Sequence, residues 1–91
     1  MVTVSAVPRD EGWECQVEVD HAGERTSHTV TATRADLARW GAGEQQKDVE
    51  DLVVRSFDFL LEREPPSSIL RRFDLSVIQS YFPEYDRQIR R

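Results

Sequence analysis

The chain has 91 residues, 38% of them hydrophobic and 32% charged, with a formal net charge of −5. That length supports one domain with one modest core, and the acidic balance counts against a general affinity for phosphate backbones. The single cysteine, Cys15, excludes an intramolecular disulfide and a zinc site built on thiolates.

Charge is distributed unevenly. Residues 69–91 hold five arginines (Arg71, Arg72, Arg87, Arg90, Arg91) against Asp74, Glu84 and Asp86, a net +2, so the first 68 residues carry −7. Of the 12 basic residues only Lys47 is a lysine. Such a bias fits a GC-rich coding genome better than selection for anion-binding forks. The opening residues lack a basic stretch followed by a long apolar run, and no run approaches the ~18 apolar residues of a membrane span. Cytoplasmic localisation without membrane contact is therefore expected.

Residues 2–7 alternate apolar and hydroxyl side chains, the period-2 pattern of a half-buried strand. Pro8, Asp10 and Gly12 supply a turn. Residues 13–20 alternate more clearly, with Trp13, Cys15, Val17 and Val19 on one face and Glu14, Gln16, Glu18 and Asp20 on the other. An acidic face of that kind belongs in water. His21, Ala22 and Gly23 lead to Glu24 as a hairpin loop, Gly23 being free to take a positive φ. The return strand, residues 25–32, is rich in β-branched residues and places Thr26, His28, Val30 and Ala32 on one face. These three strands predict an antiparallel meander with one apolar face to be covered.

Thr33 and Asp36 have the spacing of a capping box ahead of a short helix, 34–40. After a polar linker, a long helix is predicted over 48–64, with Asp48 as N-cap and Pro65-Pro66 as its stop. At 100° per residue its apolar side chains span roughly 220°, twice the stripe of an ordinary surface helix. One sheet cannot cover that arc. The remaining cover must be the chain's own C-terminal segment or a second subunit. Asp74 reads as N-cap for a helix over 75–81, and Pro83 opens another over 83–90. The expected fold is α+β in one domain, residues 1–91: a three-stranded antiparallel meander, a short helix, one long helix on the sheet and short Pro-separated C-terminal helices.

The run from Phe57 to Tyr85 holds the segments F-x-F-L-L-E-R-E-P, S-I-L, F-D-L-x-x-I and Y-F-P-E-Y. Over this third of the chain the sequence resembles the C-terminal signature of a family of small bacterial proteins without an assigned reaction. The resemblance implies a bacterial, cytosolic protein and transfers no catalytic residue.

Cys15 and His28 form the one conceivable nucleophile–base pair, but they share the apolar face, where a cysteine behaves as a small hydrophobe. His21, with Asp20 and Glu24 beside it, lacks the spacing of a metal site, so no metal or cofactor is expected. Glu64 lies toward the apolar arc of the long helix, with Arg71 or Arg72 as its expected ion-pair partner. The arginines Arg71, Arg72, Arg87, Arg90 and Arg91 are the possible anion contacts. Tyr81, Phe82, Tyr85 and Phe59 are the possible partner surface, since aromatics are enriched at interfaces. The expected function is a non-enzymatic protein-interaction or regulatory module, with homodimerisation through the Phe59/Leu52 or the Val54/Leu61 flank as one form of it. A nucleic-acid-associated regulator using the C-terminal arginines is the second reading, and a small Cys/His enzyme the third.

Overall fold

A computed structural model describes residues 1–89. The predicted alternation is realised in three antiparallel strands, β1 (Val2–Arg9), β2 (Gly12–His21) and β3 (Glu24–Thr33), each slightly longer than its pattern predicts. Register pairs Val4 with Val17 and Ala6 with Cys15, then Val17 with His28 and Cys15 with Val30. The apolar members of β2 and β3 therefore meet on one face, and Cys15, Val17, Val19 and Val30 are fully buried there. Gly23 (φ 82) takes the positive φ expected of it in the β2–β3 hairpin, and Ala22 (φ 52) joins it in the left-handed region. At Gly12 a Cβ would stand 2.2 Å from the Ala32 carbonyl oxygen, so only glycine fits beside β3.

The sheet has four strands, not the three predicted. β4 (Arg72–Asp74) lies parallel to β3 at the edge opposite β1, giving the order β1-β2-β3-β4. Thr29 N–H donates to the Arg71 carbonyl and Leu75 N–H to the Thr31 carbonyl. Asp74 is consequently a strand residue that accepts a hydrogen bond from the Thr31 hydroxyl, and it caps no helix. Three residues are too few for a strand pattern to register in the sequence, and β4 exists only because β3 offers it a ladder.

At the other edge, β1 is guarded from the side. Ala6 N–H points away from β2 and donates to Glu50 Oε2 at 2.9 Å, while Pro8 has no N–H to offer. Both features blunt the edge against pairing with another chain. The Ala6 N–H, followed by Gln46, holds the Glu50 carboxyl below the usual carboxylate range.

Helix α1 (Arg34–Trp40) matches its predicted limits, with the Thr33 hydroxyl accepting from Asp36 N–H and Asp36 Oδ2 accepting from Thr33 N–H. Helix α2 (Gln46–Leu61) is displaced from its prediction by two to three residues at each end. Its N-cap is Gln45. Asp48 sits three residues inside, accepting from Gln45 N–H at 3.2 Å, so the carboxylate caps the helix from within the first turn. At the far end Arg63 and Glu64 N–H both bond the Leu60 carbonyl and close the helix before Pro65.

The broad apolar face of α2 is covered on two sides. Val49, Leu52, Val53 and Phe57 are fully buried. Phe57 lies near the middle of the core, 5.2 Å from the His28 ring and 6.1 Å from Phe73. The second cover is the chain's own tail: a 3-10 turn (Pro66–Ser68), β4, α3 (Val77–Tyr81) and α4 (Tyr85–Gln88). Helix α3 starts two residues later than predicted because β4 consumes the residues before it, and α4 is shorter than the predicted 83–90, whose last residue lies outside the described residues.

Three arginines fasten that tail. Arg63 stacks on Phe59 with its Cζ 3.6 Å from the ring centroid, and it donates to the Phe59 carbonyl, Glu84 and Gln88. Arg55 joins Asp51 to the Ile89 carbonyl. Arg39, lying over Trp40, reaches Gln79 and Asp86, and Trp40 Nε1–H donates to Asp86 at 2.8 Å. Planar guanidinium forks that both stack and donate in several directions suit this work better than lysines would.

Candidate functional site

Where α2 ends and the tail turns back, the packing is incomplete. Leu60, Ile69, Phe73, Val77, Ile78 and Phe82 line an open groove of about 440 Å³, with Glu64, Ser68, Leu70 and Tyr81 completing its lining. Its floor is core: Leu60, Ile69, Phe73 and Ile78 are buried. Its rim is unusually apolar, since Leu70 and Tyr81 are 49% and 69% exposed, the two most exposed large hydrophobics outside the β1 strand and its start. A concave, mainly apolar site of this volume with a few polar groups is the normal form of a ligand or peptide site.

Each wall has a sequence origin. Pro65-Pro66 ends α2 and turns the chain so that Ile69 can drop into the core while Leu70 points outward. The wall formed by Ile69 and Leu70 is held to the sheet by His28. This imidazole is 2% exposed, with Nδ1 2.8 Å from the Leu70 carbonyl and Nε2 2.8 Å from Thr26 Oγ1. The tautomer carrying its proton on Nδ1 satisfies both partners: it donates to Leu70 and accepts from the threonine hydroxyl.

Among the described residues Glu64 is the only charged one lining the groove. Among the described residues its carboxylate has no ion-pair partner; the expected pairing with Arg71 or Arg72 does not form. Burial by its apolar neighbours pushes the Glu64 carboxyl above the usual carboxylate range. A raised folded-state pKa means that its stabilising contribution is complete below the ordinary value of 4.5 and is lost as pH rises through the folded-state value. At neutral pH this carboxylate therefore works against the fold.

The four residues expected to form a partner surface divide two and two. Tyr81 and Phe82 line the groove. Phe59 and Tyr85 do not face a partner: they are 6% and 0% exposed and pack edge-on at 5.2 Å, and the Tyr85 hydroxyl meets Ser56 Oγ at 2.8 Å. Ser56 gives its own proton to the Leu52 carbonyl, so Tyr85 is the donor in that pair. The Phe59/Leu52 flank is likewise closed to a second subunit by the chain's own tail, whereas Val54 and Leu61 stay half-buried. Pro83 makes this division, separating an outward aromatic from an inward one.

Among the described residues the C-terminal arginines form no stripe. Arg71 and Arg72 are exposed, and Arg72 shares the outer sheet face with Asp74. Arg87 stands near Glu84 on α4, and Arg90 and Arg91 lie outside the described residues.

Cys15 and His28 share a sheet face, but both nitrogens of His28 are engaged elsewhere. Desolvation, reinforced by the charges of Glu50 and Glu14, pushes the Cys15 thiol up to about 12. Set against its ordinary value of 9.0, that leaves roughly a thousandfold less thiolate near neutral pH. A disulfide-exchange reagent is accordingly expected to leave Cys15 unlabelled in the native protein and to label it fully once guanidinium unfolds the chain. Rapid native labelling would contradict the buried, inert assignment.

At the hairpin tip Asp20 pairs with Arg25 at 3.2 Å, while His21 is exposed. Among the described residues, no group of three or more His, Cys, Asp or Glu side chains could hold a metal ion, and no helix is long and apolar enough to cross a membrane. The chain matches no family model, no curated protein and no solved structure. The groove therefore stands on its own geometry.

Proposed function

We propose that the protein is a non-catalytic interaction module that seats an apolar peptide segment in the groove between the end of α2 and the tail. One observation carries the reading: two large apolar side chains, Leu70 and Tyr81, stand exposed at the rim of a concavity whose floor is otherwise buried core. Exposing them costs solubility with no return to the fold, and such patches mark interaction sites. Catalysis has no comparable support, because the thiol is buried with its pKa raised and the one buried imidazole is used as a structural tether.

The reading is tested by titrating the isotope-labelled protein with a neutral apolar peptide, N-acetyl-leucyl-norleucyl-phenylalaninamide, and following amide chemical shifts. Shifts confined to residues 68–82 and the end of α2 are expected, with weak, millimolar-range affinity for so small a probe. Absence of binding, or shifts centred on the outer sheet face, would overturn the assignment.

A further inference from the structure

Resting on that reading, we infer that the segment bound in the groove carries a basic side chain, lysine or arginine, which sets its cation against the Glu64 carboxylate. Among the described residues Glu64 is the one charged group of a mainly apolar lining, and no cation of the fold answers it. Its sequence neighbour Arg63 is turned away to Glu84, Gln88 and the Phe59 carbonyl. Arg71 and Arg72 take no part in the lining.

Two further features favour a cation at this spot. The sixteen-residue α2 ends at Leu61, so the negative end of its dipole opens beside the Glu64 carboxylate and adds to its field. The exposed Tyr81 ring on the same rim offers a π-face to a guanidinium or ammonium group. The net charge of −5 draws basic segments toward the molecule from a distance. A purely apolar occupant would leave the carboxylate half-desolvated and unmatched, a cost that a basic residue converts into a contact.

The test compares three peptides that differ only at the centre: N-acetyl-leucyl-lysyl-phenylalaninamide and its norleucyl and glutamyl counterparts. The lysyl peptide is expected to bind about fivefold more tightly than the norleucyl one, the scale of a partly exposed charge pair, and the glutamyl peptide most weakly. In Glu64→Gln the lysyl advantage over the norleucyl peptide disappears, and the variant melts no lower than the parent because the carboxylate does not support the fold. Equal lysyl and norleucyl affinities in the parent protein, or a preference for the glutamyl peptide, would overturn the inference and leave the groove intact as an apolar site. Failure of all three peptides to bind would overturn the groove reading itself.

Discussion

Tyr85→Ala is expected to lower the unfolding free energy by about 3–5 kcal/mol, as for other buried aromatics cut back to alanine. Tyr81→Ala, four residues away, should change it by less than about 0.5 kcal/mol. Tyr85 is fully buried, edge-on to Trp40 and Phe59 at 5.2 Å each, and it holds α4 to α2 through Ser56. Tyr81 touches mainly solvent at the groove rim. Denaturant unfolding of the two variants measures the difference directly, and similar losses at both positions would contradict the division of the aromatic cluster into core and rim. Burial pushes the Tyr85 hydroxyl up to about 12 against an ordinary 10.0, a rise only partly offset by its hydrogen bond to Ser56. With the folded-state value raised, that contribution is whole below pH 10 and is lost between about 10 and 12. Tyr85→Phe should therefore lose less stability than the parent over that interval.

His28→Ala is expected to cost about 2–4 kcal/mol, combining a cavity beside Phe57 with an orphaned Leu70 carbonyl. The location of the damage matters more than its size. The imidazole ties the groove wall to the sheet, so amide exchange at Thr29 and Leu75, which donate at the two ends of the β3–β4 pairing, should accelerate before that of the β1–β2 ladder. Uniform acceleration across the sheet would mean that His28 is merely a core residue and no tether. Loosening this wall should also weaken peptide binding, which links the core histidine to the proposed function.

The β1–β3 meander and α1 were legible because their signals are local: alternation, a Gly-containing hairpin loop, and a Thr-x-x-Asp cap. The width of the apolar arc on α2 likewise announced that the sheet alone could not cover it. The tail was less legible. Nothing in Arg72-Phe73-Asp74 distinguishes a strand from a cap, because β4 is specified by the partner edge of β3, 43 residues away in number but adjacent in space. Residue type alone suggests Asp48 as an N-cap, yet capping chemistry also works from the third helical position. Among the aromatics the sequence could identify the set but not its division, since Tyr81 and Tyr85 are chemically alike and only the turn at Pro83 sends one inward. The Glu64 carboxylate was visible on the apolar arc, and its expected partner was reasonable from proximity in sequence. The structure instead commits Arg63 to the tail, which leaves the carboxylate to the groove.

The central claim is that this groove, and no other surface, is where the protein meets its partner. It is tested most directly by parallel affinity capture from the native cell lysate with the parent chain, with a Leu70→Asp/Tyr81→Asp double variant, and with an Arg71→Glu/Arg72→Glu double variant, each first shown to unfold at the parent's denaturant midpoint. The account predicts that proteins retained by the parent are lost from the Leu70/Tyr81 variant and kept by the arginine variant. Retention by the Leu70/Tyr81 variant together with loss from the arginine variant, above all loss of nucleic acid, would contradict it.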